Sequence, residues 1–411
     1  MDKSFLIFLA IPVFFLMIGI ELLYGYLKNK NNYRLNDTIT SINIGLLSRF
    51  PTILNLGLQG AAFAYAASYL NMKLLPTNYI FTWVFAFFLY DFLYYWMHRF
   101  HHEYKFLWAT HVVHHHGEDF NLATALRQTS TGFLWKWIFY LPMFIIGVPA
   151  SVFVTVAGLN LIYQFWVHTE HIGKLGWFEK IFITPSNHRI HHARNPEYID
   201  ANYGGVFILW DRMFGTYIEE KDDLKPIYGT AKPLNSWNPL WANIEVFYSM
   251  FMDSYHTKKP IDKIKVWFSK TNWRPQDVKK RFPNNAKLNN LYNPDASKKL
   301  KAFAFLQFIM LSPLSMSIYF TITVQTFLAT SLFGCFILLS CLITSQALSN
   351  KDNSLDWELF RSFLVLLVVF GTSYLPIDLI ASKIFVAHAM FNLIFVVIVK
   401  SIYSRKDNLA Y

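Results

Sequence analysis

Residues 79–102 read YIFTWVFAFFLYDFLYYWMHRFHH, and this stretch decides the fold class. From Tyr79 to Met97 the only charged side chain is Asp91. A helix of that length crosses most of a bilayer core, and its end delivers His98 and His102 to the polar boundary. Working outward, 5–27, 51–70, 303–322, 325–346, 362–380 and 384–400 are similar apolar runs. Residues 133–148 and 150–167 are two shorter ones hinged at Pro149, long enough for a full hairpin or a shallow re-entrant one. In lipid, backbone polar groups are satisfied within a helix. The reading is an all-α, polytopic helical membrane protein of about nine spans.

Composition agrees. Hydrophobic residues make up 54% of the chain, mean hydropathy is +0.26, and aromatic content is 18%. The net charge of +11 brings no basic module with it, so nucleic acid is not an expected partner. The basic residues gather instead in loops beside apolar runs, as in cytoplasmic segments facing anionic lipid. Lys28, Lys30 and Arg34 follow the first run against Lys3 alone before it, which puts the N-terminus outside and 28–42 in the cytoplasm. The run 5–27 is too long for a signal-peptide core and lacks a small-residue cleavage site, so it is expected to be a retained span. Cys335 and Cys341 form no disulfide framework or CxxC pair. No span is expected between His168 and about Lys301. There, 237–252 places Trp241, Ile244, Tyr248 and Phe251 at helical spacing, as in a helix lying in the membrane interface, and 256–301 reads as a basic linker. The expected division is 1–78 (N-terminal spans), 79–220 (histidine-rich core), 221–301 (interfacial helix and linker) and 302–411 (a four-span C-terminal bundle).

Twelve of the 14 histidines lie between His98 and His192. Three clusters stand out: His98-Arg-Phe-His-His102, His111-Val-Val-His114-His115 and His188-Arg-Ile-His191-His192. Residues at i, i+3 and i+4 share a helix face, so each cluster aims two or three imidazoles one way. Imidazole is the commonest protein metal ligand, and eight converging rings exceed what one ion holds. His168 and His171 add a smaller fourth cluster. A structural zinc site closes with four ligands, and calcium and magnesium prefer oxygen. Two borderline metals fit, with iron, manganese, copper and zinc left open by the spacing. Asp91, Glu118, Asp119, Glu170 and Asp200 are the nearby carboxylates that can orient ligands or handle protons. His101 and His116 are off the pattern, and His256 and His388 read as ordinary interfacial or core residues. Metal buffers use loose repeats in disordered segments, and transporters bind near mid-membrane. These clusters sit at span ends.

The HxxxH, HxxHH, HxxHH pattern is accompanied by Asp91-Phe-Leu-Tyr-Tyr-Trp-Met-His-Arg, by NHRIHHARN from Asn187, by IDANYGG from Ile199 and by WDRMFGT from Trp210. Over about residues 80–220 the chain thereby resembles the fatty acid hydroxylase/sterol desaturase superfamily of membrane-bound non-haem di-iron oxygenases. Within it, HVVHHHGE (111–118), NLATALRQ (121–128) and FWVHTE (165–170) are most similar to the alkylglycerol monooxygenase family, with departures at Gly117 and Phe120. The resemblance implies two iron ions held by His98, His102, His111, His114, His115, His188, His191 and His192. His168, rather than His171, is the ninth ligand it implies, and Glu118 corresponds to a functionally important acid. It further implies a lipid substrate in the membrane, O2, and a soluble electron donor, tetrahydrobiopterin in the relatives. The implied reaction hydroxylates an ether lipid beside the ether oxygen, and the hemiacetal falls apart to an aldehyde and a glycerol derivative. A fatty acid, sterol or carotenoid hydroxylase or desaturase on the same site is the alternative within enzymes. A metal transporter is the alternative of another class.

Overall fold

The computed structural model of the chain describes residues 3–54, 59–75, 79–283, 291–321, 326–371 and 379–407. Helices dominate, and among the described residues no strand forms, only isolated bridges such as Phe182 with Phe207. The chain divides into two compact units. The first takes residues 1–41, 57–234 and 243–290, and the second 42–56, 235–242 and 291–411. Helices of nine or more residues are numbered here in chain order: α1 Lys3–Leu27, α2 Leu35–Leu47, α3 Ile80–Glu103, α4 Lys136–Ile146, α5 Ala150–Trp166, α6 Pro239–His256, α7 Pro260–Phe268, α8 Lys298–Thr321, α9 Phe327–Leu348, α10 Ser354–Gly371 and α11 Leu379–Asp407.

In the first unit α3, α4 and α5 share an apolar core. Tyr90 stacks on Tyr140 with ring centroids 4.6 Å apart, and Met143, Phe144, Phe153 and Val156 close around them. The hinge expected at Pro149 is a turn begun by Gly147 in the left-handed region (φ 109°) and ended by Pro149 as the N-cap of α5. α4, with 11 residues, reaches about 16 Å and cannot cross a bilayer core alone.

Among the described residues, five helical segments are long and apolar enough to cross a membrane: Ala10–Leu27, Ile80–Glu103, Lys298–Ile318, Phe327–Leu348 and Ile380–Ser401. The other expected spans differ for visible reasons. Of 51–70, residues 55–58 lie outside the described ones, and the rest forms the short helices Phe50–Ile53 and Gln59–Tyr65 and a π-helical turn Ala66–Leu70. Of 362–380, residues 372–378 lie outside the described ones; α10 covers the start of that run and reaches back to Ser354, with Glu358 and Arg361, 0% and 1% exposed, paired at 2.5 Å.

α1 and α3 both end on the histidine side. Arg34, just beyond α1, donates its Nε to Asp119 in the second histidine segment, and α3 carries His98 at its last turns. Two candidate spans that end on one side run parallel, so the chain must return across the membrane between them. Residues 28–42, expected as a plain loop, instead enter α2, whose Asn36, Asp37, Thr40 and Ser41 are buried. Their polar pattern reads as a loop, but Asp37 accepts hydrogen bonds from Arg127 Nη1 (3.2 Å) and Asp119 N (3.1 Å). The basic 256–301 stretch likewise carries α7 and a helix Gln276–Arg281, and Arg274 grips Asp253 of α6 through two bonds of 2.8 and 2.7 Å.

In the second unit α8–α11 pack around Leu311, Phe333, Ile337, Val365 and Phe385. A buried polar chain joins three of them. Arg361 on α10 lies 3.2 Å from His388 Nδ1 on α11, which meets Gln307 of α8 and Asn392 of its own helix. In a chain of apolar helices such hydrogen bonds help fix which faces meet.

Candidate metal centre

Four segments bring the histidines in. The last turns of α3 place His98 and His102 one turn apart on one face. A single turn, Val112–His115, carries His114 and His115. His168 follows the end of α5. The helix Pro185–His191 carries His188 and His191, with Pro185 at its start and a reciprocal capping box between Thr184 and Asn187.

Nine histidines fall into two groups. His98, His102, His111, His115 and His191 form one, and His114, His168, His188 and His192 the other; within each, one ring nitrogen per residue lies within 4.8 Å of every other. All nine are buried. These are the eight histidines of the three spacing motifs together with His168. His101, His116 and His171 stay outside. His101 turns back to Met97 O at 2.6 Å, and His171 lies edge-on against Tyr24 with ring centroids 5.1 Å apart.

Both groups have the chemistry of a metal cradle. Nε2 atoms face one another at 3.0 Å (His98–His111), 3.1 Å (His111–His115), 3.2 Å (His114–His168), 3.0 Å (His168–His188) and 3.2 Å (His188–His192). Two nitrogens bound at right angles to one ion at ~2.1 Å would be about 3.0 Å apart, so this spacing fits a coordination shell. His102 Nε2 and His191 Nε2 are buried with no hydrogen-bond partner. Four Nδ1–H groups donate to backbone carbonyls: His98 to Tyr203 (2.8 Å), His114 to Arg127 (3.0 Å), His168 to Gln164 (2.8 Å) and His191 to Ala201 (3.0 Å). Each bond fixes the tautomer that leaves Nε2 with its lone pair. Burial holds His111, His114, His115, His188 and His192 well below the usual imidazole range, and brings His191 down to about 4 and His168 to about 3. The rings are therefore neutral, the form that binds metal. All-nitrogen donor sets suit borderline transition metals.

The motif residues between the histidines hold this arrangement. Asp91, fully buried, accepts from Asn160 Nδ2 (2.7 Å), Val206 N (2.8 Å), Phe207 N (3.0 Å) and Trp210 Nε1 (2.9 Å). It pins α3 and α5 to the segment after the third motif. Asp211 accepts from Tyr203 N (2.7 Å), Gly204 N (2.8 Å) and Thr216 Oγ1 (2.7 Å), which sets the loop whose carbonyls orient His98 and His191. Gly205 has no room for a side chain, since a Cβ would lie 2.7 Å from Asp91 Oδ1. Arg127, 1% exposed, donates to Val113 O, Asp37 and Ser41 and so staples the 111–128 segment to α2.

The other carboxylates divide. Glu118 belongs to neither histidine group; its Oε2 lies 3.7 Å from Arg34 Nη2. Asp119 accepts Arg34 Nε at 2.8 Å, and burial together with the Asp37 charge pushes it up to about 7. Glu170 accepts the Tyr228 hydroxyl at 3.0 Å. Asp200 is held with φ 63° beside the carbonyl-bearing loop.

Two contributors escaped the sequence reading, Glu21 and Trp108, and a third, Phe120, entered it only as a departure from the relatives. Glu21 is buried in α1 and accepts from Leu122 N (2.8 Å), Thr169 Oγ1 (2.5 Å) and the Tyr33 hydroxyl, tying the second histidine segment to the His168 segment. Its signal was available, as a lone acid inside an apolar run. Phe120 stacks on Tyr228 (4.8 Å, 16°) and lies 5.6 Å from the His168 ring, covering the four-histidine group. Trp108 stands 5.0 Å from the His102 ring and 5.4 Å from that of His115. Nothing in the spacing marks either aromatic among so many.

Comparison with known proteins agrees with this site. The fatty acid hydroxylase family profile matches residues 83–216. The alkylglycerol monooxygenase of Danio rerio is 35% identical over 367 residues, covering 87% of this chain and 81% of that one. The alkylglycerol monooxygenase of Xenopus tropicalis is 37% identical over 306 residues, covering 74% and 68%. That of Homo sapiens is 33% identical over 364 residues, covering 87% and 81%. No solved structure matches the chain significantly.

Proposed function

Because the chain belongs to the fatty acid hydroxylase family, on the branch of the alkylglycerol monooxygenases, and is thereby a lipid monooxygenase of the membrane, we propose that it cleaves the ether bond of alkylglycerols. The substrate carbon beside the ether oxygen gains one oxygen atom of O2; the other leaves as water with two electrons and two protons from a soluble donor, tetrahydrobiopterin in this reading. The resulting hemiacetal separates into an aldehyde and a free glycerol hydroxyl. Two iron ions, when bound, supply the reduction of O2 and the oxidising power for the C–H bond.

The chain's own residues do the rest. His98, His102, His111, His115 and His191 hold one ion, and His114, His168, His188 and His192 the other. The carbonyls of Tyr203, Arg127, Gln164 and Ala201 keep those rings in the ligating tautomer. Phe120 and Tyr228 exclude water from the four-histidine side. Glu118, fixed by Arg34, is assigned proton handling at the reacting centre. The histidine side is assigned to the cytoplasm, where loop charge places it and a soluble donor can reach it.

The observation that carries this proposal is the pairing of two all-nitrogen histidine groups in a chain whose curated relatives are alkylglycerol monooxygenases over most of its length. Iron-loaded protein assayed in air with 1-O-alkylglycerol and tetrahydrobiopterin is expected to release a long-chain aldehyde. Folded protein holding two irons that releases none, yet oxidises a fatty acid, sterol or carotenoid, would move the substrate to that class.

A further inference from the structure

We propose that α6 and α7 form a membrane-contacting surface seated in an anionic lipid monolayer, so that lipid bears from outside on the wall of a cavity beside the five-histidine group. α6 has two opposed faces. Ile244, Tyr248, Phe251 and Tyr255 are exposed. At ~100° per residue, their intervals of four, three and four keep them within about 60° of arc. Glu245, Ser249, Met250 and Asp253, on the other side of the helix, line a cavity of about 750 Å³ that His102, His115 and His191 also line. α6 is thus a partition one helix thick, with the histidine cavity on its inner side.

α7 repeats the pattern. Ile261, Ile264 and Phe268 share one face and are 69%, 62% and 64% exposed. Val266, on its other side, packs with Met250 of α6 and with Ala109. Large apolar side chains gathered on the outside of two packed helices mark a contact surface rather than a solvated one. Position and charge select lipid as the partner. The Phe268 ring lies 5.5 Å from that of Phe106, which lies 5.4 Å from that of Trp135. Trp135 immediately precedes the apolar α4, on which Ile138 is exposed. The end of α7 therefore adjoins the point where an apolar segment begins, the depth at which aromatic side chains collect in a bilayer. Residues 256–283 carry nine Lys and Arg against two Asp. Lys258 and Lys259, just before α7, and Lys263 within it are exposed. An apolar helix face accompanied by lysines is the pattern of a helix lying in an anionic interface.

The test places a fluorophore on each face. Tyr248→Cys, Phe268→Cys and Ser249→Cys, each in the full chain with Cys335→Ser and Cys341→Ser, are labelled with an environment-sensitive dye. The proteins are placed in nanodiscs of phosphatidylcholine alone, or of phosphatidylcholine and phosphatidylglycerol in equal parts. The dyes at 248 and 268 are expected to lose most of their emission to a nitroxide on the upper acyl chains and little to acrylamide in the water. The dye at 249, one residue away on the cavity face, should keep its emission against the nitroxide. Quenching by lipid should be stronger with phosphatidylglycerol, and that gain should vanish when Lys258→Gln, Lys259→Gln and Lys263→Gln are combined. Two outer positions keep the test alive if one variant fails to fold. Outer dyes quenched by acrylamide overturn the membrane as the partner, as do outer dyes shielded from both quenchers by a second copy or another protein. Equal quenching in the two membranes, or a gain that survives the lysine changes, overturns the anionic preference. A dye at 249 quenched like its neighbour overturns the partition. No turnover is read, so every outcome is independent of alkylglycerol cleavage.

Discussion

His114 and His115 are neighbours in sequence and serve different groups, and so are His191 and His192. Successive helical residues point about 100° apart, so each pair straddles the space between the two groups. One outsider also separates at this scale: His101 bonds Met97 O through Nδ1, and its Nε2 meets no other histidine nitrogen. The consequence is measurable by elemental analysis. His114→Ala, which removes one of four ligands, should lower bound metal from about two ions per chain to about one. His101→Ala should leave both in place. Equal loss from the two variants would remove the ligand assignment.

Between elements, the decisive contact is the one Asp91 makes. A single carboxylate satisfies four donors from α5 and the 206–210 segment, and that segment continues to Asp211, which sets the carbonyls behind His98 and His191. The metal groups are thus aligned by helix-to-loop hydrogen bonds made away from the histidines. Asp91→Ala leaves those donors buried and unpaired, at a cost of about 3 kcal/mol. A lowered thermal midpoint together with lost metal would be seen in purified protein; an unchanged midpoint would show that the clamp is dispensable. The role of Asp91 was half legible. Its place beside the first motif drew attention to it as an orienting or proton-handling group, but its four partners lie 69 to 119 residues away.

For the whole molecule, the parallel run of α1 and α3 requires a return crossing between them. Sequence alone offered 51–70 for it, and the described helices there are short. The proposed orientation, argued from loop charge, has the shared end in the cytoplasm. Single cysteines at Asn31 and Ile227, with Cys335 and Cys341 replaced by serine, test this. A membrane-impermeant maleimide applied to intact cells should label neither site until the membrane is opened. Labelling of both from outside would invert the orientation, and labelling of one alone would break the common side. The polar chain of Arg361, His388, Gln307 and Asn392 in the second unit belongs to this scale too, because it joins three helices that composition shows only as apolar runs.

By itself the sequence determined the helical membrane class, through runs too apolar for anything else, and the histidines that share a helix face, because 3.6-residue periodicity is local. It also carried the motifs that mark the family. The tertiary structure alone decided how nine imidazoles split into five and four, which aromatics and carboxylates surround them, and that a cavity opens beside one group. Each of those depends on distances between segments far apart in the chain, and such distances are set by packing.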